Sequence, residues 1–322
     1  MPQKTITKFS AFVISFAFVS LFFFACSEVS SSEKETAANA SKKLLSTDYA
    51  APREVGRLES GDIIESSGIV ASRCNQNAFW THNDSGNPNL IYALNIKGEH
   101  LGAWRVTEAK NKDWEDVGTF QNAKGECFLY LADIGNNARD REELIIYLVK
   151  EPGISEADKL TDKNNPANTE TAEAIKITYP DMRHDAETLI VHPQTGDIYI
   201  LTKRVSGAAG VYRLKANYAI DKTNTLEKVT DFSVPAVPNG LLTGGGILAD
   251  GKRVVICDYF NAYELKLPEN AKNFDEIWRQ ELAVVKLGER PQGEAVCYSL
   301  DGKSIVATSE RKNSPIIEVK RK

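Results

Sequence analysis

The chain has 322 residues, 42% of them hydrophobic and 26% charged, with a formal net charge of −5. An acidic balance argues against nucleic acid as a partner, and the apolar fraction supports a packed core. None of the five cysteines stands in a CxxC spacing, which argues against a thiolate zinc centre.

Residues 1–25 open with Lys4 and Lys8, continue as an almost uncharged apolar run, and end in Phe23, Phe24 and Ala25 before Cys26. A basic start, an apolar stretch and a small residue describe a signal peptide; at about 17 residues the run lies at the short limit for spanning a bilayer. The segment resembles the lipobox of bacterial lipoproteins, with Phe23 bulkier than the aliphatic residue usual there. That resemblance implies cleavage before Cys26, lipid on Cys26 and attachment to a membrane. Ser27, which is not aspartate, then implies outer-membrane sorting, facing the periplasm or the cell surface. Residues 26–52, rich in Ser, Ala and charge, read as a flexible tether. Loss of Lys4 and Lys8 with the signal takes the charge from −5 to about −7.

Residues 53–322 are long enough for one large domain and repeat one pattern five times. The units are ESSGIVAS, AFWTHNDSG, LIYALN; DWEDVGTF, CFLYLADIGNN, LIIYLV; DAETLIVH, DIYILTKR, GVYRL; LLTGGGIL, RVVICDYFN, AYEL; and QGEAVCYS, SIVATSER, IIEV. In each, a small or acidic residue opens a short apolar strand, a polar turn follows, and two further strands complete the set. LGAWRV, AIKITYP, VTDFSVP and LAVVKL supply fourth strands, and EVGRLES, before the first unit, supplies the missing one. Four short antiparallel strands repeated radially describe a β-propeller. The expected fold is therefore all-β, a five-bladed propeller closed by an N-terminal strand. A six-bladed ring needs a unit the chain does not offer, and a β-sandwich leaves the five equivalent opening positions unexplained. Helical periodicity is confined to NFDEIWRQ, and the charged insert over 154–173 reads as a surface loop. Cys74 and Cys127 sit near polar turns of neighbouring units, where spacing alone leaves open whether they pair. Cys257 and Cys297 lie inside apolar strands and read as buried thiols.

Ser67, Glu115, Glu187, Thr243 and Glu294 open the first strands, at steps of 48, 72, 56 and 51 residues. In a propeller these strands line the central channel, so the five side chains are expected to meet near its axis. Carboxylates about 5 Å apart repel by roughly 3 kcal/mol per pair at an effective dielectric of 20, so such a cluster takes up protons or a cation. Oxygen-only ligands suit Ca²⁺. The order hydroxyl, Glu, Glu, hydroxyl, Glu resembles the central calcium site of the calcium-activated nucleotidase (apyrase) family, also five-bladed propellers. Thr243 departs from that family's serine, and no extended nucleotidase motif accompanies the match. The surrounding words THNDSG, DWED, DIGNN, DAET and QGEA are similar to those of a family of uncharacterised secreted bacterial propeller proteins.

Chain direction places the loops between second and third strands on the same rim as these acids. They bring His82, Asn83, Asp84 and Ser85; Asp133, Asn136, Asn137 and Arg139; Lys203 and Arg204; Asp258 and Asn261; and Glu310, Arg311 and Lys312, while Arg183, His184 and Asp185 precede one of the acids. Loops on a rigid scaffold are where ligands are met, although Asx residues also tie loops through their own hydrogen bonds. His100 and His192 read as surface turn residues. The GGG over 244–246 lacks the lysine and helix of a phosphate loop, and no GxSxG elbow is present.

Three functions fit this pattern. The first is calcium-dependent hydrolysis of a phosphate ester or anhydride, with Asp84, Asp133 or His184 as base, Arg139, Arg183, Lys203, Arg204 and Arg311 on phosphate oxygens, and Asn83, Asn136 and Asn137 as further ligand contacts. The second is a non-catalytic, calcium-stabilised module that binds a small anionic ligand, a glycan or a protein. The third is a lactonase or esterase whose metal would be held by Glu65, Asn83 and Asn136. The chain is expected to be a monomer.

Overall fold

The computed structural model describes residues 45–322. The expected signal peptide, Cys26 and the tether up to residue 44 lie outside the described residues, among which no helix is long and apolar enough to cross a membrane.

First in the chain is β1 (Arg53–Arg57), which belongs to the last blade. Blade 1 holds β2 (Ser66–Ala71), β3 (Phe79–Asn83), β4 (Leu90–Leu94) and β5 (His100–Thr107). Blade 2 holds β6 (Trp114–Gln121), β7 (Cys127–Asp133), β8 (Leu144–Lys150) and, after an insert that contains β9 (Ala167–Thr171), β10 (Glu173–Thr178). Blade 3 holds β11 (Ala186–Val191), β12 (Ile198–Thr202), β13 (Ala209–Leu214) and, beyond the short β14 (Asn224–Thr225), β15 (Glu227–Phe232). Blade 4 holds β16 (Gly244–Ile247), β17 (Arg253–Cys257), β18 (Asn261–Lys266) and β19 (Ala283–Lys286). Blade 5 holds β20 (Val296–Tyr298), β21 (Ser304–Ala307) and β22 (Pro315–Lys320), and is completed by β1, antiparallel to β22 with Arg57 opposite Pro315. The fold is a five-bladed β-propeller, closed by the N-terminal strand as the repeats predict.

Burial explains the two kinds of strand. The inner strands β2, β6 and β11 are covered on both faces by neighbouring blades and are buried almost throughout, which is why they read as continuous apolar runs. Outer strands such as β10 and β15 alternate or lie exposed, and carry Glu and Lys outward. The core is correspondingly divided into clusters that lie between adjacent blades. Ile69, Leu90 and Tyr92 of blade 1 pack with Cys297, Val306 and Ile316 of blade 5, so the closing interface is as apolar as the others.

Two features hold neighbouring blades together on the polar side. Cys74, in the first turn of blade 1, forms a disulfide with Cys127 of β7, which settles their pairing; Cys257 and Cys297 are buried and free. Glu264 of β18, fully buried, accepts hydrogen bonds from Tyr49 (2.5 Å), Tyr298 (2.9 Å), Arg253 (3.1 Å) and Arg321 (3.3 Å). These donors come from blades 4 and 5 and from the segment before β1.

Five expectations change. The last part of the expected tether, 45–52, is packed on the ring: Leu45 bridges Val284, Tyr49 bridges Arg321, and Tyr49 is 6% exposed. Its one large aromatic residue, Tyr49, donates its hydroxyl to the buried carboxylate of Glu264. The insert over 154–173 is built rather than loose. It contains a 3₁₀ turn (Glu156–Leu160), and β9 runs parallel to β5, covering that blade's outer edge. His192 is buried against Phe274 (centroids 4.6 Å apart) instead of exposed, and His100 is half-buried with Nε2 on the Thr161 carbonyl (2.8 Å). NFDEIWRQ forms only a 3₁₀ turn (Phe274–Arg279), which buries Ile277 and Trp278.

Candidate functional site: an acidic mouth

The opening residues owe their positions to a repeated irregularity. In blades 1 to 3 the register between first and second strands slips by one residue, between Ser66 and Gly68, Trp114 and Asp116, and Ala186 and Thr188. The unpaired residue in each case is Ser67, Glu115 or Glu187. A bulge of this kind bends the strand and re-aims a side chain. In blade 4 Thr243 stands immediately before the inner strand and its N–H still reaches the Cys257 carbonyl (3.0 Å), while in blade 5 Glu294 lies two residues before β20.

The second consequence of the bulge is Asp116, which the sequence reading did not single out. Its carboxylate, 1% exposed, accepts the Val117 N–H (2.8 Å) and the Leu189 N–H of blade 3 (2.9 Å). It therefore ties two inner strands together beneath the mouth.

Above it the acids gather in two groups. Asp84, from the loop after β3, Asp113, just before β6, and Glu115 each place a carboxylate oxygen within 4.8 Å of the others. Asn111 fixes the two loops against each other, donating to the carbonyls of Asn83 (3.1 Å) and Asp84 (2.9 Å) while its own Oδ1 accepts the Trp114 N–H (3.1 Å). Gly135 completes the pocket: a Cβ there would lie 2.2 Å from Glu115 Oε1 and 2.4 Å from Asp113 Cγ, so only glycine leaves room for both carboxylates. In the second group, Glu187 is ion-paired with Lys203, whose ammonium also lies over the Tyr259 ring at 5.4 Å. Glu294 accepts Gln292 Nε2 on Oε1 (3.2 Å), and its Oε2 is buried with no partner among the described residues.

The electrostatics follow from burial and crowding. Burial first, then neighbouring acids, pushes Asp113 up to about 6 and Glu310 to about 7. Glu294 is pushed up to about 8, chiefly by burial and against the pull of Lys203. Glu115 and Glu187 are raised well above the usual carboxylate range, burial leading in both; Lys203 opposes the rise at Glu187 without cancelling it. Asp84 is raised in the same way. Such a mouth calls for positive charge that its own side chains supply only in part.

Of the expected metal residues, the fold brings Glu187 into electrostatic contact with both Glu115 and Glu294. Ser67 is buried at the equivalent bulge. Thr243 is turned to other use, donating its hydroxyl to the Gly293 carbonyl (3.1 Å). Asp84, expected as a base, stands beside Asp113 and Glu115 in the acidic trio.

Several other candidates prove to be ties, because their polar atoms are consumed by nearby backbone. Asn83 Oδ1 accepts the N–H groups of Ile64 (2.9 Å) and Glu65 (3.0 Å), and its amide donates to the Asp62 carbonyl (2.8 Å). Asn136 Oδ1 accepts the Arg141 N–H (3.0 Å), while its amide donates to the carbonyls of Arg141 (3.0 Å) and His184 (3.3 Å). This removes the two amides that the lactonase reading needs. Asp133 is paired with Arg141 at 2.8 Å and is not a free base. His184 Nε2 faces Asp181 Oδ1 (3.1 Å) and the Tyr212 hydroxyl (2.8 Å), within an aromatic nest that includes Tyr179. His82 is fully buried, its ring edge-on to Trp114, and burial lowers it to about 4. Asp258 is held by the N–H groups of Phe260 and Asn261 and by the Tyr263 hydroxyl (2.6 Å). Asn137, Arg139, Arg183 and Arg311 are exposed on loops, and Arg183 pairs with Glu142 (3.4 Å). Arg204 is half-buried, with its backbone bridged to Gly240.

Asp113, Asp116, Gly135 and Tyr259 were missed. Asp113 had a visible signal, since DWED places acids on both sides of Trp114.

No family model matches the chain, and no curated protein matches it. Among solved structures it is similar to hydrazine synthase of Kuenenia stuttgartiensis, with 12% identity, a TM-score of 0.41 and coverage of 80% of this chain and 71% of that one. It is also similar to the RRP9 WD40 repeats, with 9% identity, a TM-score of 0.44 and coverage of 85% and 100%. The class, defined by the strand order of its five sheets, is a five-bladed β-propeller, distinguished by the acids at its mouth.

Proposed function

We propose that this is an exported, lipid-anchored propeller that binds a divalent cation, with Ca²⁺ the best fit, in its acidic mouth and presents it to a small anionic ligand or glycan. The observation that carries the reading is the trio Asp84, Asp113 and Glu115, held within 4.8 Å in a space that Gly135 keeps open. Donors that are all carboxylate oxygens, drawn from two loops and a bulge, suit a hard cation of flexible coordination. Bound there, the ion would offset the repulsion among the acids and offer an anion a positive contact. The protein's own part is to hold the oxygens together through Asn111 and Gly135. The Cys74–Cys127 disulfide is in keeping with an oxidising compartment, as the signal and Cys26 imply.

The binding reading is preferred to hydrolysis because the phosphate-holding arginines stand exposed or engaged elsewhere. One observation keeps hydrolysis of a phosphate ester as a second reading: Glu294, held up to about 8 beside the ammonium of Lys203, is placed to exchange a proton near neutral pH. The test is a thermal melt of the chelator-treated protein with added Ca²⁺ or Mg²⁺, alongside phosphate release from a panel of nucleotides. Calcium-dependent melting without turnover supports binding; turnover lost in Glu294→Gln supports hydrolysis. Melting indifferent to either ion removes the proposal.

A further inference from the structure

Building on the cation site above, we propose that the mouth is made for two cations side by side, and that the ammonium of Lys203 is the built-in occupant of the second position. Glu187 and Glu294, 5% and 4% exposed, open the inner strands of blades 3 and 5, as Glu115 does in blade 2. Each group of acids therefore has the means to hold a cation. Only the second has one, because β12 of blade 3 ends next to Lys203, whose side chain is 14% exposed and reaches Glu187. Tyr259 of blade 4 shields the ammonium from the other side.

The charge is nevertheless incomplete. Lys203 brings a single positive charge to two buried carboxylates, and it reaches only one of them by hydrogen bond. Glu294 keeps one oxygen buried without a partner among the described residues, facing Lys203 and Asp84 electrostatically. That oxygen is the mark of a position whose natural charge is more than one. A tethered ammonium there fixes the number of exchangeable ions at one and keeps a positive charge beside the ion bound by Asp84, Asp113 and Glu115. An anion entering the mouth then meets both.

The experiment is a Ca²⁺ titration by calorimetry on the purified full-length chain, comparing the native protein, Lys203→Met, and Lys203→Met combined with Glu187→Gln and Glu294→Gln. Methionine keeps the bulk of the lysine stem and removes its charge. The expected stoichiometries are about one, about two and about one ion per chain. A native chain that binds one ion and a Lys203→Met chain that also binds one overturns the inference and leaves the trio intact. No ion in the native chain and one in Lys203→Met retains the role of Lys203 and sinks the trio as a site. Should Lys203→Met fail to fold by circular dichroism, Glu294→Gln alone decides: unchanged stoichiometry and affinity support two separate positions, whereas loss of the single ion shows Glu294 to be its ligand and overturns them.

Discussion

The two halves of the mouth begin from the same local structure and reach opposite electrostatic states. In the half formed by blades 1 and 2, Asp84, Asp113 and Glu115 crowd together with no cation paired to them among the described residues. In the half formed by blades 3 to 5, Glu187 and Glu294 share Lys203. The bulge that presents Glu115 is the bulge that presents Glu187, so the difference comes from the loops. One half spends its second-to-third-strand loop on an aspartate, the other on a lysine. On the reading proposed above, a single loop residue sets the ion count without touching the frame.

The largest effect that would break this contrast is the response to losing Lys203. In the absence of metal, Lys203→Met is expected to cost about 3 kcal/mol at pH 8, because the buried pair Glu187 and Glu294, more ionised there than at lower pH, loses its counter-charge. The cost should be much smaller at pH 5, where both glutamates, whose values are raised on folding, hold their protons in the native state. Urea unfolding at the two pH values measures it, and equal losses would show that Lys203 acts by packing alone. The opposite half should respond with the opposite sign. Glu115→Gln removes a buried carboxyl whose ionisation burial opposes, and is expected to stabilise the metal-free chain by about 1 kcal/mol at pH 8, while abolishing any stabilisation by Ca²⁺.

The pH dependence of the native chain sharpens the same point. Carboxylates with raised folded values ionise first in the unfolded chain, so they cost stability progressively as pH climbs from the ordinary range near 4 through the folded values of about 6 for Asp113, 7 for Glu310 and 8 for Glu294. With chelator present, the melting temperature should fall by roughly 5 °C between pH 5 and pH 8, and Ca²⁺ should recover most of the loss at pH 8. A flat profile would mean that the acids are solvated. The last effect is the most local. Gly135→Ala should weaken Ca²⁺ binding about tenfold, or about 1.4 kcal/mol, by displacing the Glu115 and Asp113 carboxylates, leaving the Lys203 half nearly unchanged.

Much of this frame is readable in the sequence. The five-fold strand pattern gave the blades, the closing strand and the facing of Glu115, Glu187 and Glu294, because covered inner strands must be apolar and their first residues must look into the channel. What stayed hidden depends on one-residue shifts and on distances between blades. Alternation along DWEDVGTF puts Glu115 and Asp116 on opposite faces, but it says nothing of the bulge that lets one reach the mouth while the other binds two inner strands. Asn83 and Asn136 look like ligands in sequence and act as ties in the fold, since an amide beside a tight loop is consumed by the nearest backbone. Tyr49 sits in a stretch whose composition reads as tether, and only the buried carboxylate of Glu264, more than two hundred residues later, gives it a place.

The central claim, that Asp84, Asp113 and Glu115 form a divalent-cation site, is tested most directly by a calorimetric Ca²⁺ titration of the native chain beside Asp84→Asn. Saturable binding of about one ion per chain, lost or weakened at least tenfold in Asp84→Asn, is the predicted result. Binding absent from the native chain, or unchanged by the substitution, would contradict it.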